Sequence, residues 1–266
     1  MNRHVTPLRG ERLRGIASTR RLCPLIMLGD PDLATTEALL QGCVDLGIGM
    51  VELCVPFPNA FTDGEVLRRA HARALAANAG LPEALALIAN FASRIDIVLL
   101  ADASHTLRPH GFANVCRIAA AAGAAAILPH GLAPRMAADF AAAAAGVIPE
   151  VGTLYAAAAP ETQAQIIRRA VAFIYLVSAY GRSGQAAPPG DITTAIAAIK
   201  AQTDMPVALG FGLKTPADVA GAFAAGADIA IVGSAISAAV EAGIGTPETL
   251  APVMRLLAAL QMETTT

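Results

Sequence analysis

Residues 49–66 read GMVELCVPFPNAFTDGEV, an apolar run of strand length followed by a loop containing prolines, a glycine and an acid. The run is nearly continuous in hydrophobicity, which is typical of a parallel strand covered on both faces. Glu52 interrupts it, and Asp63 lies eleven residues further on in the loop. A buried carboxylate without a partner is costly, so we expect Glu52 either to pair with a cation or to have a shifted pKa that is used.

Seven further runs of this kind alternate with helix-like segments along the chain. They are CPLIML (23–28), DIVLLA (96–101), AAILP (125–129), GVIPEVG (146–152), AFIYLVS (172–178), PVALGFG (206–212) and DIAIVG (228–233). Thr215-Pro216 with Asp218 is the clearest helix start, because it combines a cap residue, a first-turn proline and an acid at the third position. Eight β-then-α units predict an α/β fold, a single (β/α)8 TIM barrel with extra helices over residues 1–266. An open doubly wound sheet is the alternative.

Composition excludes several classes of function. The net charge is −2, no tryptophan is present and no basic stripe occurs, so the electrostatic footprint of a nucleic-acid-binding protein is missing. Asp228 lies in the middle of the longest weakly polar stretch, which disfavours a membrane span. The basic residues 1–20 lack a continuous apolar core and are predicted to be an N-terminal lead-in, not a secretory signal. The four cysteines show no C-x-x-C spacing, which favours free thiols in a reducing cytoplasm over zinc or redox pairs.

Glycines mark the ends of the last three predicted strands, at GRSG (181–184), GFG (210–212) and GS (233–234). Glycine lets backbone N–H groups approach an anion closely, and a helix N-terminus adds a favourable dipole. Each glycine pair taken alone is equally well explained by turn geometry. Three such pairs at neighbouring strand ends of a barrel predict a phosphate site.

The two acids, Glu52 and Asp63, can meet only at the mouth of such a barrel. Alternate residues of a barrel strand point inward, so we expect Glu52 to face a pocket while Leu53 faces a helix. Asp63 can join Glu52 only if its loop folds back over the mouth. The pair would suit acid–base chemistry on a phosphorylated ligand, with one carboxyl raised in pKa and the other ionised. The alternatives are a salt bridge from Glu52 to an arginine and a plain turn role for Asp63 in its Asp-Gly dipeptide.

Five motifs, in order along the chain, resemble those of the tryptophan synthase α subunit family. They are LGDPD (28–32), ELCVPFPNAFTDGE (52–65), GRSG (181–184), GFGL (210–213) and GSAI (233–236). The resemblance runs from about residue 20 to residue 260. It implies a barrel that splits indole-3-glycerol phosphate into indole and glyceraldehyde 3-phosphate, a retro-aldol cleavage that needs no metal or organic cofactor. It also implies a partner, a PLP-dependent β subunit that consumes the indole.

The same resemblance assigns roles to individual residues. It places the general acid/base at Glu52, the carboxylate that stabilises the indole nitrogen at Asp63 and the tyrosine of strand six at Tyr175. The residues implied in phosphate binding are Ser183, Gly184, Gly212, Gly233 and Ser234. These roles make chemical sense, because protonating indole at C3 turns the ring into an electron sink while a base removes the glycerol hydroxyl proton.

The chain departs from the family pattern around the expected pocket. Pro58-Asn59-Ala60 stands where the family has S-D-P in the loop after strand two, and Leu25 stands where it has an aromatic residue. Ala103 and His105 lie near the positions of a Y-x-N pattern, and His130 replaces the aspartate of a P-D pattern. The pocket candidates are therefore Leu25, Ala103, His105 and His130. Histidine can act near neutral pH or bind a different ring, although most loop histidines are simply solvated.

Three functional hypotheses follow from these patterns. The first is a cytoplasmic lyase that cleaves indole-3-glycerol phosphate or a close analogue. The second is a non-catalytic or weakly active regulatory partner of a PLP-dependent β subunit. The third is a stand-alone lyase of a specialised pathway with a changed aromatic substrate. The histidine spacing forms no metal motif, and no nucleic-acid or membrane partner is expected.

Overall fold

The computed structural model describes residues 19–156, 158–177, 189–210, 212–246 and 250–265. Its eight strands are β1 (Arg21–Met27), β2 (Met50–Cys54), β3 (Asp96–Asp102), β4 (Ala126–His130), β5 (Gly152–Tyr155), β6 (Ile174–Val177), β7 (Val207–Leu209) and β8 (Ile229–Val232). All pair in parallel, in the spatial order β4-β3-β2-β1-β8-β7-β6-β5. Ile127 of β4 closes the ring, because its N–H donates to Pro149 O and its carbonyl accepts the Val151 N–H, both at 2.9 Å. The (β/α)8 barrel is therefore confirmed over the open sheet.

Helices follow the strands on the outside of the barrel. They are α1 (Leu33–Asp45), α2 (Glu65–Ala76), α3 (Leu81–Phe91), α4 (Phe112–Ala122), α5 (Ala137–Ala144), α6 (Pro160–Arg169), α7 (Pro189–Lys200), α8 (Pro216–Ala224), α9 (Ser234–Gly243) and α10 (Ala251–Met262). A π-helix (Ala103–Leu107), a helical turn (Arg108–His110) and a 3₁₀ turn (Pro134–Met136) are inserted between them. The predicted start of α8 is confirmed, since Thr215 Oγ1 accepts the Asp218 N–H at 3.2 Å and Asp218 Oδ2 accepts the Thr215 N–H at 2.8 Å.

The buried apolar residues form two layers, one between strands and helices and one inside the barrel. Strand β2 contributes to both: Leu53 belongs to the outer layer, while Met50 and Cys54 belong to the inner one. Glu52 shares the inward face with Met50 and Cys54, because side chains alternate along a strand. The predicted orientation of Glu52 and Leu53 is thus confirmed.

The position of the fifth strand was wrong in the sequence-based prediction. Residues 146–152 were expected to form it, but β5 begins only at Gly152. Gly146 has a φ of +68° and the Ile148 N–H donates to Ala144 O at 3.0 Å, so this part still completes the end of α5. Pro149 has no N–H to offer a strand ladder. The apolar run was therefore a buried helix end and connection, and the strand is the GTLY segment after it.

The remaining predictions about the chain concern its ends, its cysteines and membranes. Residues 1–18 of the predicted lead-in lie outside the described residues. All four cysteines are buried free thiols. In the described ranges, no single helix has the length and hydropathy to cross a membrane. Helices α2 and α3 have the required length and hydropathy only when taken together, and a bend of 96° separates them. Asp228 accepts hydrogen bonds from Lys200 Nζ and from the Val207 N–H, each at 2.8 Å.

Candidate active site

A cavity of about 350 Å³ opens at the C-terminal ends of the strands. It is lined by all three predicted catalytic side chains, Glu52, Asp63 and Tyr175. The described members of the predicted phosphate site also line it, namely Gly212, Gly233 and Ser234. Ser183 and Gly184 lie outside the described residues. The fold therefore brings together residues that are separated by up to 182 positions in the sequence.

Glu52 is the most unusual group in this cavity. Its side chain is fully buried, and in the described part of the chain neither carboxyl oxygen has a hydrogen-bond partner. The predicted alternative, a salt bridge to an arginine, does not occur there. Its neighbours across the sheet are apolar, Leu25 on β1 and Val98 on β3. Burial raises the pKa of Glu52 from an ordinary 4.5 to about 8, so the group is a protonated acid at neutral pH.

Asp63 reaches the cavity because the loop between β2 and α2 folds back over the barrel mouth. Within the loop the Asp63 N–H donates to Ala60 O at 3.1 Å. Its carboxylate oxygen Oδ2 lies 3.1 Å from Nε2 of His71, and its side chain is 18% exposed. Asp63 is thus more than a turn residue: it is a half-buried carboxylate aimed at the same space as Glu52.

Tyr175 projects from β6 into the cavity beside the end of β7. Burial, then the nearby Glu52 and, more weakly, Asp63, raise the pKa of the Tyr175 phenol well above its ordinary value. A Cβ atom at Gly210 would lie 2.6 Å from Cε2 of the Tyr175 ring. Glycine at position 210 is therefore required by close packing of the tyrosine, a reason different from the anion contact that the sequence suggested.

The other two described glycines of the predicted phosphate site have different local geometry. Gly212 has a φ of +84°, a conformation that other residues rarely adopt. Gly233 immediately precedes α9, and a Cβ atom there would make only ordinary contact with Leu25, at 3.5 Å. Ser234 is the first residue of α9, so unpaired backbone N–H groups of this helix start lie beside the cavity.

Two of the four pocket candidates lie in the cavity wall and two do not. Leu25 and His130 line the cavity. Ala103 is instead buried in the outer layer, and His105 lies outside the lining with its Nδ1 2.7 Å from Oδ1 of Asp102. Strand β3 extends to Asp102, whose carboxylate accepts two backbone N–H groups of the π-helix, and the His105 ring stacks on Phe57 with their centroids 6.0 Å apart.

Two residues at the centre of this region, His71 and Phe57, were not predicted from the sequence. The ring centroid of Phe57 lies 4.3 Å from that of His71 and 5.4 Å from that of His130. His71 is 3% exposed and shares the buried face of α2 with Leu67 and Ala74. The sequence did contain a signal for His71, because this histidine lies at helical spacing between apolar residues. A polar ring on the buried face of a helix needs hydrogen-bond partners.

A network of ion pairs fixes the elements around the cavity. The Arg73 guanidinium binds both carboxylate oxygens of Asp30, at 2.6 and 2.9 Å. It also donates to Glu241 at 2.9 Å, and Glu241 accepts two further bonds from Arg69. The network therefore joins the GDPD turn after β1 to α2 and α9. Bidentate arginine pairs of this kind fix geometry as well as adding energy.

The fold and the cavity together define a barrel enzyme with acid–base groups facing a glycine-lined helix start. In the described ranges no three His, Cys, Asp or Glu side chains are grouped as ligands for a metal ion. The family model described as "Tryptophan synthase alpha chain" matches residues 16–265. The chain belongs to this family, and it is accordingly a lyase of tryptophan biosynthesis that cleaves indole-3-glycerol phosphate.

Individual relatives and solved structures agree with the family. The tryptophan synthase alpha chain of Geobacter sulfurreducens is 35% identical over 222 residues, covering 82% of this chain and 84% of the relative. That of Caulobacter sp. strain K31 is 32% identical over 250 residues, covering 91% and 87%. The alpha subunit structure from Legionella pneumophila has the same fold, with a TM-score of 0.85, 24% identity and 97% of each chain covered. A mutant alpha-subunit structure from Pyrococcus furiosus gives a TM-score of 0.80 at 27% identity, covering 91% of this chain and 98% of that one.

Proposed function

We propose that Glu52 is both the acid and the base of the cleavage, with Asp63 as the carboxylate that stabilises the positive charge of the ring. The observation that supports this most directly is the buried Glu52 carboxyl, which lines the cavity with a pKa raised to about 8. An acid with this pKa holds its proton at neutral pH, yet gives it up to a reacting carbon more readily than an alcohol or amide would.

In this proposal Glu52 begins protonated and donates its proton to C3 of the indole ring. The ring becomes an iminium whose positive charge at N1 is stabilised by the Asp63 carboxylate. The Glu52 carboxylate then accepts the proton of the hydroxyl group on the carbon attached to C3. As that O–H bond breaks, the carbonyl forms, the carbon–carbon bond breaks and its electron pair returns to the ring. The products are indole and glyceraldehyde 3-phosphate, and Glu52 has regained its proton.

We place the phosphate of the substrate at the start of α9. Backbone N–H groups near Gly212 and Gly233, the Ser234 hydroxyl and the positive end of the helix dipole would hold it there. The family resemblance adds Ser183 and Gly184 to this set. Tyr175 lines the same cavity as Glu52 and Ser234, where its ring would pack against the substrate and help to position it.

The test is cleavage by the purified chain alone, measured as indole released from indole-3-glycerol phosphate. Glu52→Gln keeps the shape of the side chain but removes the acid, and should lower kcat by about 10²- to 10⁴-fold. Glu37→Gln, the same change at an exposed position on α1, is the matched control and should keep the full rate. Cleavage by Glu52→Gln at the wild-type rate would reject the assignment.

We also propose that the chain assembles with a PLP-dependent β subunit through the loop between β2 and α2. Phe61 in this loop is 77% exposed, and Leu75 borders the same surface groove. Because Pro58-Asn59-Ala60 differs from the family's S-D-P, we expect this chain and the β subunit to be coupled more loosely than the family pattern implies. Mixing with a β subunit should raise the cleavage rate, and Phe61→Ser should weaken this activation. Activation of the β subunit by a chain that cleaves nothing itself would favour the regulatory hypothesis.

A second candidate is a lyase for a substituted aromatic ring, and His130 is the observation that favours it. This imidazole lines the cavity and makes no hydrogen bond within the described part of the chain. Strand β4, which carries it, is far around the barrel from β7 and β8, so it would face the ring end of a ligand whose phosphate lies at α9. His130→Ala should then reduce kcat/KM for a hydroxyindole analogue but not for indole-3-glycerol phosphate. An equal loss for both substrates would contradict this candidate.

We propose a cytoplasmic location and a single domain over residues 1–266. Four buried free thiols are compatible with a reducing compartment. Fractionation of cells that produce the full chain tests the location.

A further inference from the structure

One imidazole holds both ends of the loop between β2 and α2. The Phe57 N–H, near the start of the loop, donates to Nδ1 of His71 at 3.1 Å. The Asp63 carboxylate, near the end of the loop, lies 3.1 Å from Nε2 of the same ring. The ring itself belongs to α2, a fixed element that also carries the Arg73 pair to Asp30. The loop is therefore tied at two points to a rigid helix.

The two contacts determine which nitrogen of His71 carries the proton. A backbone N–H can only donate, so Nδ1 must be the unprotonated acceptor. The proton of the neutral ring is then on Nε2, where it is donated to the Asp63 carboxylate. The Phe57 ring packs against the imidazole at 4.3 Å, and His71 is 3% exposed, so the imidazole has little freedom to turn.

We propose that His71 is a positioning residue that holds the Asp63 carboxylate at the cavity through its Nε2–H. Without this bond, Asp63 would remain on a loop that also makes short-range contacts, such as Phe61 N–H to Asn59 O at 2.7 Å and Asp63 N–H to Ala60 O at 3.1 Å. The inference rests on the role proposed above for Asp63. It adds a residue of α2 that need not touch the substrate, and it explains how two acids eleven residues apart come to face one cavity.

Two substitutions separate the two bonds of His71. An asparagine oxygen occupies the place of Nδ1 and can accept the Phe57 N–H, but its side chain is too short to replace Nε2. A glutamine nitrogen reaches the place of Nε2 and can donate to Asp63. We therefore expect His71→Asn to lower kcat by about 10²-fold, the scale of a 1 Å misplacement, with KM little changed. His71→Gln should stay within about tenfold of the wild-type kcat.

The control and the decisive comparison use the same assay. His110 is an exposed histidine whose Nδ1 contacts Thr106 O, and His110→Gln should leave kcat unchanged. In an Asp63→Asn background, adding His71→Asn should cause no further loss, because His71 acts through Asp63. A wild-type kcat in His71→Asn, an equal loss in His71→Asn and His71→Gln, or an undiminished further loss in the Asp63→Asn background would each overturn the proposal.

A second measurement does not depend on activity. Nitrogen-15 NMR of the histidine rings should show His71 protonated at Nε2 only, and Asp63→Asn should shift the Nε2–H proton resonance upfield as the bond to a charge is lost. A ring protonated at Nδ1 would overturn the proposal even if the enzyme is active. Absence of cleavage by the wild-type chain, with the expected ring resonances present, would instead count against the proposed function.

Discussion

Glu52→Gln should make the protein more stable while it makes the enzyme inactive, and the gain should depend on pH. Burial raises the pKa of Glu52 from 4.5 to about 8. Between these values the unfolded chain loses the Glu52 proton and the folded chain keeps it, so the free energy of unfolding falls as pH rises. The fall is about 1.4 kcal/mol per pH unit, which gives about 5 kcal/mol over the whole interval and about 3 kcal/mol by pH 7. A glutamine side chain at this position does not ionise, so the free energy of unfolding of the Glu52→Gln protein does not fall in this way as pH rises.

The assay is urea unfolding of both proteins at several pH values from 5 to 9, without substrate. The difference in unfolding free energy, Glu52→Gln variant minus wild type, should increase steadily up to about pH 8 and then level off. Burial also raises the pKa of Glu150, to about 7, but Glu150 is present in both proteins. Its contribution to the pH dependence of the unfolding free energy is therefore the same in both and cancels from the difference. A difference that stays constant over this range would refute the claim that Glu52 is buried as an uncharged acid, and the proposed first proton transfer with it.

Three further outcomes are expected from the same geometry. The wild-type kcat should decline as pH rises through about 8, because the first step needs protonated Glu52; a rate that keeps rising to pH 9 would contradict this. Ser234→Asp should raise KM by about tenfold or more with kcat largely kept, since it adds a negative charge at the helix start proposed to bind phosphate; an unchanged KM in steady-state kinetics would argue for another phosphate site. Gly210→Ala should lower the free energy of unfolding, measured in urea, by about 1–3 kcal/mol because the new methyl group overlaps the Tyr175 ring. Gly221 is exposed in α8 with open space around it, so Gly221→Ala should leave the free energy of unfolding unchanged or raise it. Equal stability of the two alanine variants would show that the Tyr175 ring can move aside.

The barrel could be predicted because its signals are local and repeated. A parallel strand buried on both faces is apolar throughout, and this pattern located seven of the eight strands to within a few residues. The exception was residues 146–152, where a helix end and a proline connection are as apolar as a strand. Only the pairing of Ile127 with the residues before β5 shows where the chain rejoins the ring. Hydrophobicity alone does not distinguish these cases, because it reports burial and not hydrogen-bond direction.

The candidate site was predictable where one residue carries its own signal. Glu52 is an acid inside an apolar strand, and the glycines lie at strand ends, so both stood out. His105 illustrates the limit: its position after strand three suggested the pocket, but it lies in a π-helix capped by the Asp102 carboxylate, and its ring stacks on Phe57 of the cavity wall without lining the cavity itself.

The sequence by itself determined that the chain consists of eight β-then-α units, that Glu52 lies on a strand face opposite to Leu53, and that the glycines and acids gather at the C-terminal ends of the strands. The units follow from continuous apolar runs separated by helical segments, and the facing of Glu52 follows from the alternation of side chains along a strand; both are properties of neighbouring residues. The tertiary structure decided which distant groups meet. Whether Glu52 lacks a partner, and whether His71 ties Asp63 to the cavity, depends on how a loop folds back across the barrel mouth. Contacts between residues far apart in sequence set that path, and no local pattern records them.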